Sequence, residues 1–235
     1  MVIWSNITAY MFDSLINLLF PPVCAGCDRL LYEGERVICL VCRHELPLTL
    51  QHLVPNNEAM SKLYGRLDVQ HVSAMCYFHK KGIVQQLIHN LKYRGQEDVG
   101  EVMGSWYAGD LAKSLMEPVD IVIPVPLHRR RLRERGYNQV SKFANALASG
   151  LSAAYRPDIL HRRQYAKTQT AKKMLSRTTS AATFGIDIEK VPAECHFLLV
   201  DDVITTGSTL EACGKALLQV PGARLSIACM AMSHS

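Results

Sequence analysis

The sequence contains no GxxxxGK[ST] run and no GxGxxG run. That removes the two commonest glycine-rich cradles for nucleotides, the P-loop and the dinucleotide fingerprint. Aromatic residues are scarce, 7% of the chain with two Trp, and a groove that stacks single-stranded bases needs such rings beside its basic residues. Nor does one sign of charge dominate: a formal net charge of +5 suits an anionic ligand without dictating a nucleic acid. No apolar run is long and clean enough to span a bilayer. The amino-terminal stretch MVIWSNITAYMFDSLINLLFPP is interrupted by Asn6, Asp13 and Asn17, has no Lys or Arg ahead of its apolar residues, and lacks a small-residue cleavage site. The expectation is therefore neither a membrane span nor a signal peptide. Ile7, Met11, Leu15, Leu18 and Leu19 recur at helical spacing and predict an amphipathic helix packed on the body. A cytoplasmic address follows, and with it eight cysteines that do not form a disulfide framework.

What is present fits a folded globular chain: 49% hydrophobic and 20% charged residues over 235 positions, enough for one α/β core and a small appendage. The most informative run is FLLVDDVITTGST, Phe197 to Thr209. Four apolar residues predict a buried parallel strand, and TLEACGKALLQV places Leu210, Leu217 and Leu218 on one face of a following helix. The turn between such a strand and helix is where open α/β sheets bind ligands. Backbone N–H groups around Thr205, Thr206, Gly207, Ser208 and Thr209, with their hydroxyls, can cradle a phosphate at the helix N-terminus. Asp201 and Asp202 would repel a phosphate placed on them. They suit hydroxyl donors one sugar-length away, which points to a ribose 5-phosphate. A solvated Asp-Asp turn with a helix cap is the plainer alternative.

A second cluster is Cys24, Cys27, Cys39 and Cys42, giving C-x2-C-x11-C-x2-C. Each CxxC knuckle offers two thiolates to a tetrahedral Zn²⁺, and two knuckles close a structural site around a small hairpin. Buried free thiols or a redox pair are the alternatives, but neither calls for the x2 spacing twice. About 45 residues need such a staple to fold. Cys76, Cys195, Cys213 and Cys229 lie singly in apolar segments and are expected in the core.

Residues 47–68, with two prolines and an Asn-Asn pair, predict a linker. HVSAMCYFH predicts a strand, IVQQLIHNLKYRG a helix with Ile83, Leu87, Ile88 and Leu91 on one face, and roughly 98–116 a second helix. Val119 to Val125 predicts a strand whose exit Pro124 and Pro126 hold extended. Five arginines then fall between 129 and 135. An isolated run of this kind is a solvated basic face, but here it follows a strand end, where Arg can offer bidentate donors to a diphosphate. GYNQ is expected to open a helix running to about 150, with Phe143, Leu147 and Leu151 on one face. Residues 161–185, HRRQYAKTQTAKKMLSRTTSAATFG, are polar, basic and without a core face, which suits a lid. RLSIACMAM predicts the last strand.

The Asp201 run resembles the 5-phosphoribosyl diphosphate (PRPP) signature of type I phosphoribosyltransferases. Over nearly its whole length the chain resembles the ComF/GntX family, through LLFPPVCAGC, the second CxxC, LIHNLKYRG, PVPLHRRRLRERGYNQ and LLVDDVITTGST. The resemblance implies an α/β chain with a type I phosphoribosyltransferase fold, a mostly parallel sheet flanked by helices. Residues 1–48 would form an amino-terminal helix and a zinc-ribbon-like module, 49–69 a linker, and 70–235 the phosphoribosyltransferase-like domain. It implies that Asp201 and Asp202 hold the ribose hydroxyls, that Thr205 to Thr209 hold the 5′-phosphate, and that Pro124, Val125, Pro126, Leu127, His128 and Arg129 form the diphosphate loop. Lys92, Arg130, Arg131 and Tyr137 become possible substrate or DNA contacts. A structural Zn²⁺ and Mg²⁺ bound with PRPP are the implied ions. The family link to natural competence implies single-stranded DNA and a competence helicase as partners, while the GntX name links to gluconate use. A phosphoribosyl transfer is one implied activity; a non-catalytic module that senses PRPP or binds single-stranded DNA is the other. The lid departs from the family pattern. Arg162 and Gln169 fit it, but Gln164 and Ala166 replace its second Arg and its Thr, and residues 180–184 lack its Asn.

Overall fold

The computed structural model describes residues 21–162 and 183–233. The amphipathic helix expected before residue 21 and most of the expected lid lie outside the described residues. A short helix, α1 (Leu40–His44), closes the cysteine module. Next come a 3-10 turn at Gln51–Leu53 and a one-turn helix, α2 (Glu58–Ser61). Strand β1 (His71–Phe78) is followed by α3 (Ile83–Tyr93) and α4 (Asp98–Ser114), then β2 (Ile121–Pro124). Helices α5 (Arg129–Arg135) and α6 (Ser141–Leu151) precede the short β3 (Ala154–Tyr155). The antiparallel pair β4 (Leu160–Arg162) and β5 (Phe184–Ile186) leads to β6 (His196–Ile204), α7 (Ser208–Leu217) and β7 (Arg224–Ser233).

Five strands form one sheet in the order β1-β7-β6-β2-β3, and every pairing in it is parallel. Continuous apolar runs explain this. FLLV in β6 is fully buried, so both faces must be covered. The period of two divides the run: Leu198 and Val200 join the core under α3, α4 and α6, and Phe197 and Leu199 join the core under α7. Helices α4 and α6 approach closely, since a Cβ at Gly104 would lie 2.7 Å from the Phe143 carbonyl oxygen. Cys76, Cys195, Cys213 and Cys229 are all buried, as expected.

Several expectations are revised. The strand expected over Val119 to Val125 is only Ile121–Pro124, and just before it the Asp120 carboxylate accepts from the His196 N–H at 2.8 Å. The arginine run is itself a helix with no buried residue. GYNQ does not open the next helix: Gly136, at φ +82, ends α5, and α6 starts at Ser141. Leu151 and Leu218 are only half-buried, unlike Phe143, Leu147, Leu210 and Leu217.

The segment expected to be a linker is folded onto the sheet. Leu48 bridges Cys76 in antiparallel fashion, Thr49 N–H donates to Met75 O at 3.0 Å, and Tyr77 N–H donates to Pro47 O at 2.8 Å. An otherwise open edge of β1 is thereby covered. Buried Asn57 caps α2 by accepting from Met60 N–H and donates to Val72 O at 2.8 Å.

Candidate functional site

The Asp201 turn and the β2 exit meet because β2 and β6 run parallel with Pro124 opposite Val200. Strand β2 ends there. One residue further on, β6 is uncovered on that side, and a notch opens at the carboxyl edge of the sheet. A cavity of about 300 Å³ fills this notch. Val125, Pro126, Leu127 and His128 line one wall; Asp201, Asp202, Thr205 and Thr209 line the other. Arg131 and Arg135 approach from α5, Gln139 from the turn between α5 and α6, Lys92 from the end of α3, and Arg162 from β4. Among the expected site residues, Pro124 is the last of β2, and Arg129, Arg130, Thr206, Gly207 and Ser208 do not line the cavity.

The two carboxylates are not equivalent. Alternation along β6 sends them to opposite faces of the strand. Asp202, 6% exposed, is held on the α3 side: Lys92 Nζ stands 2.9 Å from Oδ1 and Gln139 Nε2 donates to Oδ2 at 2.6 Å. Asp201 faces the α7 side and its Oδ1 accepts from the Asp202 N–H at 2.8 Å. Burial, followed by the neighbouring Asp202 charge, pushes its carboxyl up to about 8.

The hydroxyl-rich turn begins where β6 ends. Gly207 has φ +75, a conformation other residues rarely adopt, and a Cβ there would lie 2.7 Å from Leu63 Cδ2. Thr206 and Ser208 share a hydrogen bond between hydroxyls at 2.8 Å. Helix α7 starts at Ser208, so the first N–H groups of an apolar-anchored ten-residue helix open beside Thr205 and Thr209.

The run RGYNQ holds Tyr137, already singled out in the sequence, and supplies three residues that were not: Gly136, Asn138 and Gln139. Gly136 stops α5; Tyr137 Oη donates to Leu91 O; Asn138 Nδ2 donates to Val125 O at 3.0 Å; Gln139 reaches Asp202. Arg135 donates to Gln139 Oε1 at 2.7 Å and lies over the Tyr93 ring at 5.1 Å. A helix-opening reading of GYNQ hid this, yet a short polar string after a basic helix was a usable signal. Lys92 and Tyr137 also line a second cavity of about 410 Å³, which shares Lys92, Arg131 and Arg135 with the first. Arg130 instead pairs with Glu134 on the exposed side of α5.

The second constellation is the cysteine module. The sulfurs of Cys24, Cys27, Cys39 and Cys42 all lie within 4.8 Å of one another. Tetrahedral thiolates at the usual zinc distance stand about 3.8 Å apart, and Cys27 and Cys39 are 3.8 Å apart. Cys24 Sγ accepts from Gly26 N–H at 3.3 Å and Cys39 N–H at 3.2 Å, and Cys39 Sγ accepts from Cys42 N–H at 3.4 Å. Such N–H···S bonds favour thiolates. Burial works to raise Cys27, but bonds from Arg29, whose Nε stands 3.4 Å away, dominate and hold it down to about 6. The donor set fits a closed, four-coordinate metal centre. It is joined to the body by Cys24, Cys39 and Cys42 packing into the core that contains Leu87 and Leu91, and by Asn90 Nδ2 donating to Ala25 O at 2.8 Å.

The parallel sheet, the notch at its carboxyl edge and the turns around it define a phosphoribosyltransferase-type fold carrying a four-cysteine module. A family model described as "Phosphoribosyl transferase domain" matches residues 141–235. Competence protein ComFC of Bacillus subtilis (strain 168) is 25% identical over 211 residues, 80% of this chain and 81% of that one. DNA utilization protein YhgH of Escherichia coli O157:H7 is 26% identical over 216 residues, 88% of this chain and 89% of that one. Competence protein F of Haemophilus influenzae (strain ATCC 51907 / DSM 11121 / KW20 / Rd) is 35% identical over 101 residues, 42% of this chain and 44% of that one. The chain is thus similar over most of its length to a competence protein and a DNA utilization protein, and its carboxyl-terminal part matches a phosphoribosyl transferase domain. Among the described residues no helix is long and apolar enough to cross a membrane.

Proposed function

We propose that this protein binds PRPP at the β6 notch and works in the handling of DNA during competence, the role its relatives' names carry. The observation that supports this most is the β2–β6 register, which sets an acidic pair, a hydroxyl-rich turn and a proline-stiffened loop around one cavity. In this reading Asp201 and Asp202 hold the ribose hydroxyls, Thr205 to Thr209 the 5′-phosphate, and Pro124 to Arg129 the diphosphate. Lys92 and Gln139 orient Asp202, and Arg131 and Arg135 add positive charge beside the diphosphate loop. A transfer at this site would form a bond from an acceptor to ribose C1 as the bond from C1 to the diphosphate oxygen breaks. Positioning and fixed charge would lower its barrier. Mg²⁺ carried with the diphosphate would neutralise charge on the leaving group. The cysteine module is proposed to hold a structural Zn²⁺.

Calorimetry of PRPP with Mg²⁺ tests the site. Wild type should bind, the double variant Asp201→Ala/Asp202→Ala should not, and equal binding by both would refute the assignment. A second reading, a non-catalytic module for single-stranded DNA, is favoured by α5, which carries Arg129, Arg130, Arg131 and Arg133 on a helix with no buried residue. DNA affinity over a salt series with Arg129, Arg130 and Arg131 neutralised decides it: a slope unchanged from wild type removes α5 from DNA binding.

A further inference from the structure

We propose that Arg66 is a positioning residue for the phosphate-binding turn, an inference that rests on reading Thr205 to Thr209 as that turn. Arg66 lies in the segment between α2 and β1, far from the ligand motifs in sequence. One guanidinium nitrogen donates both to Thr206 O at 2.8 Å and to Lys62 O at 2.9 Å. The others bind Glu211 Oε2, Nε at 2.9 Å. The same segment presents Leu63 to Gly207, close enough that a Cβ at 207 would lie 2.7 Å from Leu63 Cδ2. The turn is therefore gripped from behind at two consecutive residues.

The consequence follows from the peptide group. No cis peptide bond occurs among the described residues, and in a trans peptide the C=O and N–H point in opposite directions. Anchoring Thr206 O to Arg66 thus turns the Gly207 N–H away from Arg66, on the side left for a ligand. No backbone carbonyl of the described residues accepts the Thr206 or Gly207 N–H. Among the described residues these donors have no backbone partner.

Charge gives Arg66 a second effect on the same turn. Glu211 sits in the first turn of α7, where a carboxylate competes with a phosphate for the positive end of the helix dipole. Arg66 on Oε2 and Lys215 on Oε1, at 2.7 Å, neutralise it. A lysine at 66 could still pair with Glu211, but a single ammonium cannot span two carbonyls and a carboxylate in this fork.

The test combines calorimetry of PRPP with Mg²⁺ and backbone ¹⁵N order parameters at Thr206, Gly207 and Ser208. It uses wild type, Arg66→Ala, Arg66→Lys, Glu211→Gln and the double variant Arg66→Ala/Glu211→Gln. Arg66→Ala should weaken PRPP about tenfold, the size of a lost charged hydrogen bond. Order parameters in the turn should fall while those in β6 and the melting temperature hold. Arg66→Lys should recover part of the affinity, and Glu211→Gln should rescue only part of the Arg66→Ala loss. Unchanged affinity and order parameters in Arg66→Ala overturn the proposal, as does a loss that appears only with global destabilisation. Full rescue by Glu211→Gln also overturns it, leaving Arg66 a charge shield. Should wild type itself bind no PRPP, the functional reading falls, and the relaxation arm still decides whether Arg66 fixes the turn.

Discussion

The cysteine module and the β6 notch are built on opposite plans. In the module, four ligating side chains come from 19 consecutive residues, Cys24 to Cys42, and two tight knuckles bring them together. In the notch, Lys92, Gln139 and Asp202 come from three distant elements and meet only because the sheet is parallel and in one register. The first constellation is local, and in the reading proposed above an ion holds it. The second is assembled by the fold and is as good as the fold's alignment. Their failures should differ accordingly.

The largest effect is expected from Cys39→Ser, or from stripping the bound ion with a chelator. Loss of a structural metal site exceeds ordinary substitutions, so destabilisation of about 4 kcal/mol or more is expected. Urea unfolding with metal analysis measures it. A module that keeps its fold without metal would break the contrast. Asp202→Ala comes next: it leaves Lys92 Nζ without its carboxylate and Gln139 without its acceptor, at about 2 kcal/mol for a partly exposed pair. Metal content should stay at the wild-type level, because the two constellations share no ligand.

A pH effect separates them further. The folded Asp201 carboxyl stands near 8, above its unfolded value of 3.8. Its contribution to stability is complete below the unfolded value. As pH rises the unfolded chain ionises first, so stability falls until the folded carboxyl also ionises. Asp201→Asn should flatten that fall between about pH 5 and pH 8 in urea titrations; parallel curves for the two proteins would count against a protonated Asp201. The smallest effect belongs to Asn138→Ala, which frees Val125 O from its side-chain donor. About 1 kcal/mol is expected, with a weaker grip on the diphosphate of PRPP visible by calorimetry and the metal site untouched.

The same contrast governs how far each region could be read in advance. Cysteine spacing is a one-dimensional signal, and the module's ligands follow from it. The FLLV strand and its helix were equally plain, since burial on both faces leaves a continuous apolar run. The partners of Asp202 were not. Gln139 and Lys92 are ordinary polar residues until β2 and β6 pair, and nothing in GYNQ states that its glutamine points at a carboxylate 63 positions away. Residues 47–68 misled for a different reason. Their prolines and asparagines lack periodicity, yet Asn57 is buried and bonded to β1, and Arg66 ties the segment to the β6 turn. Hydrogen bonds to backbone carbonyls leave no pattern in a sequence.

The strip Pro47 to Thr49 has an implication for anyone who would divide this chain. It occupies the outer backbone groups of β1, a strand whose residues from Val72 to Cys76 are all buried. A fragment beginning at residue 70 would present that apolar strand with unpaired N–H and C=O groups, a template for edge-to-edge polymerisation. The segment that leaves the cysteine module thus doubles as a terminal cap for the sheet, and a protein cut at residue 70 is expected to be lost to aggregates before any ligand chemistry can be assayed.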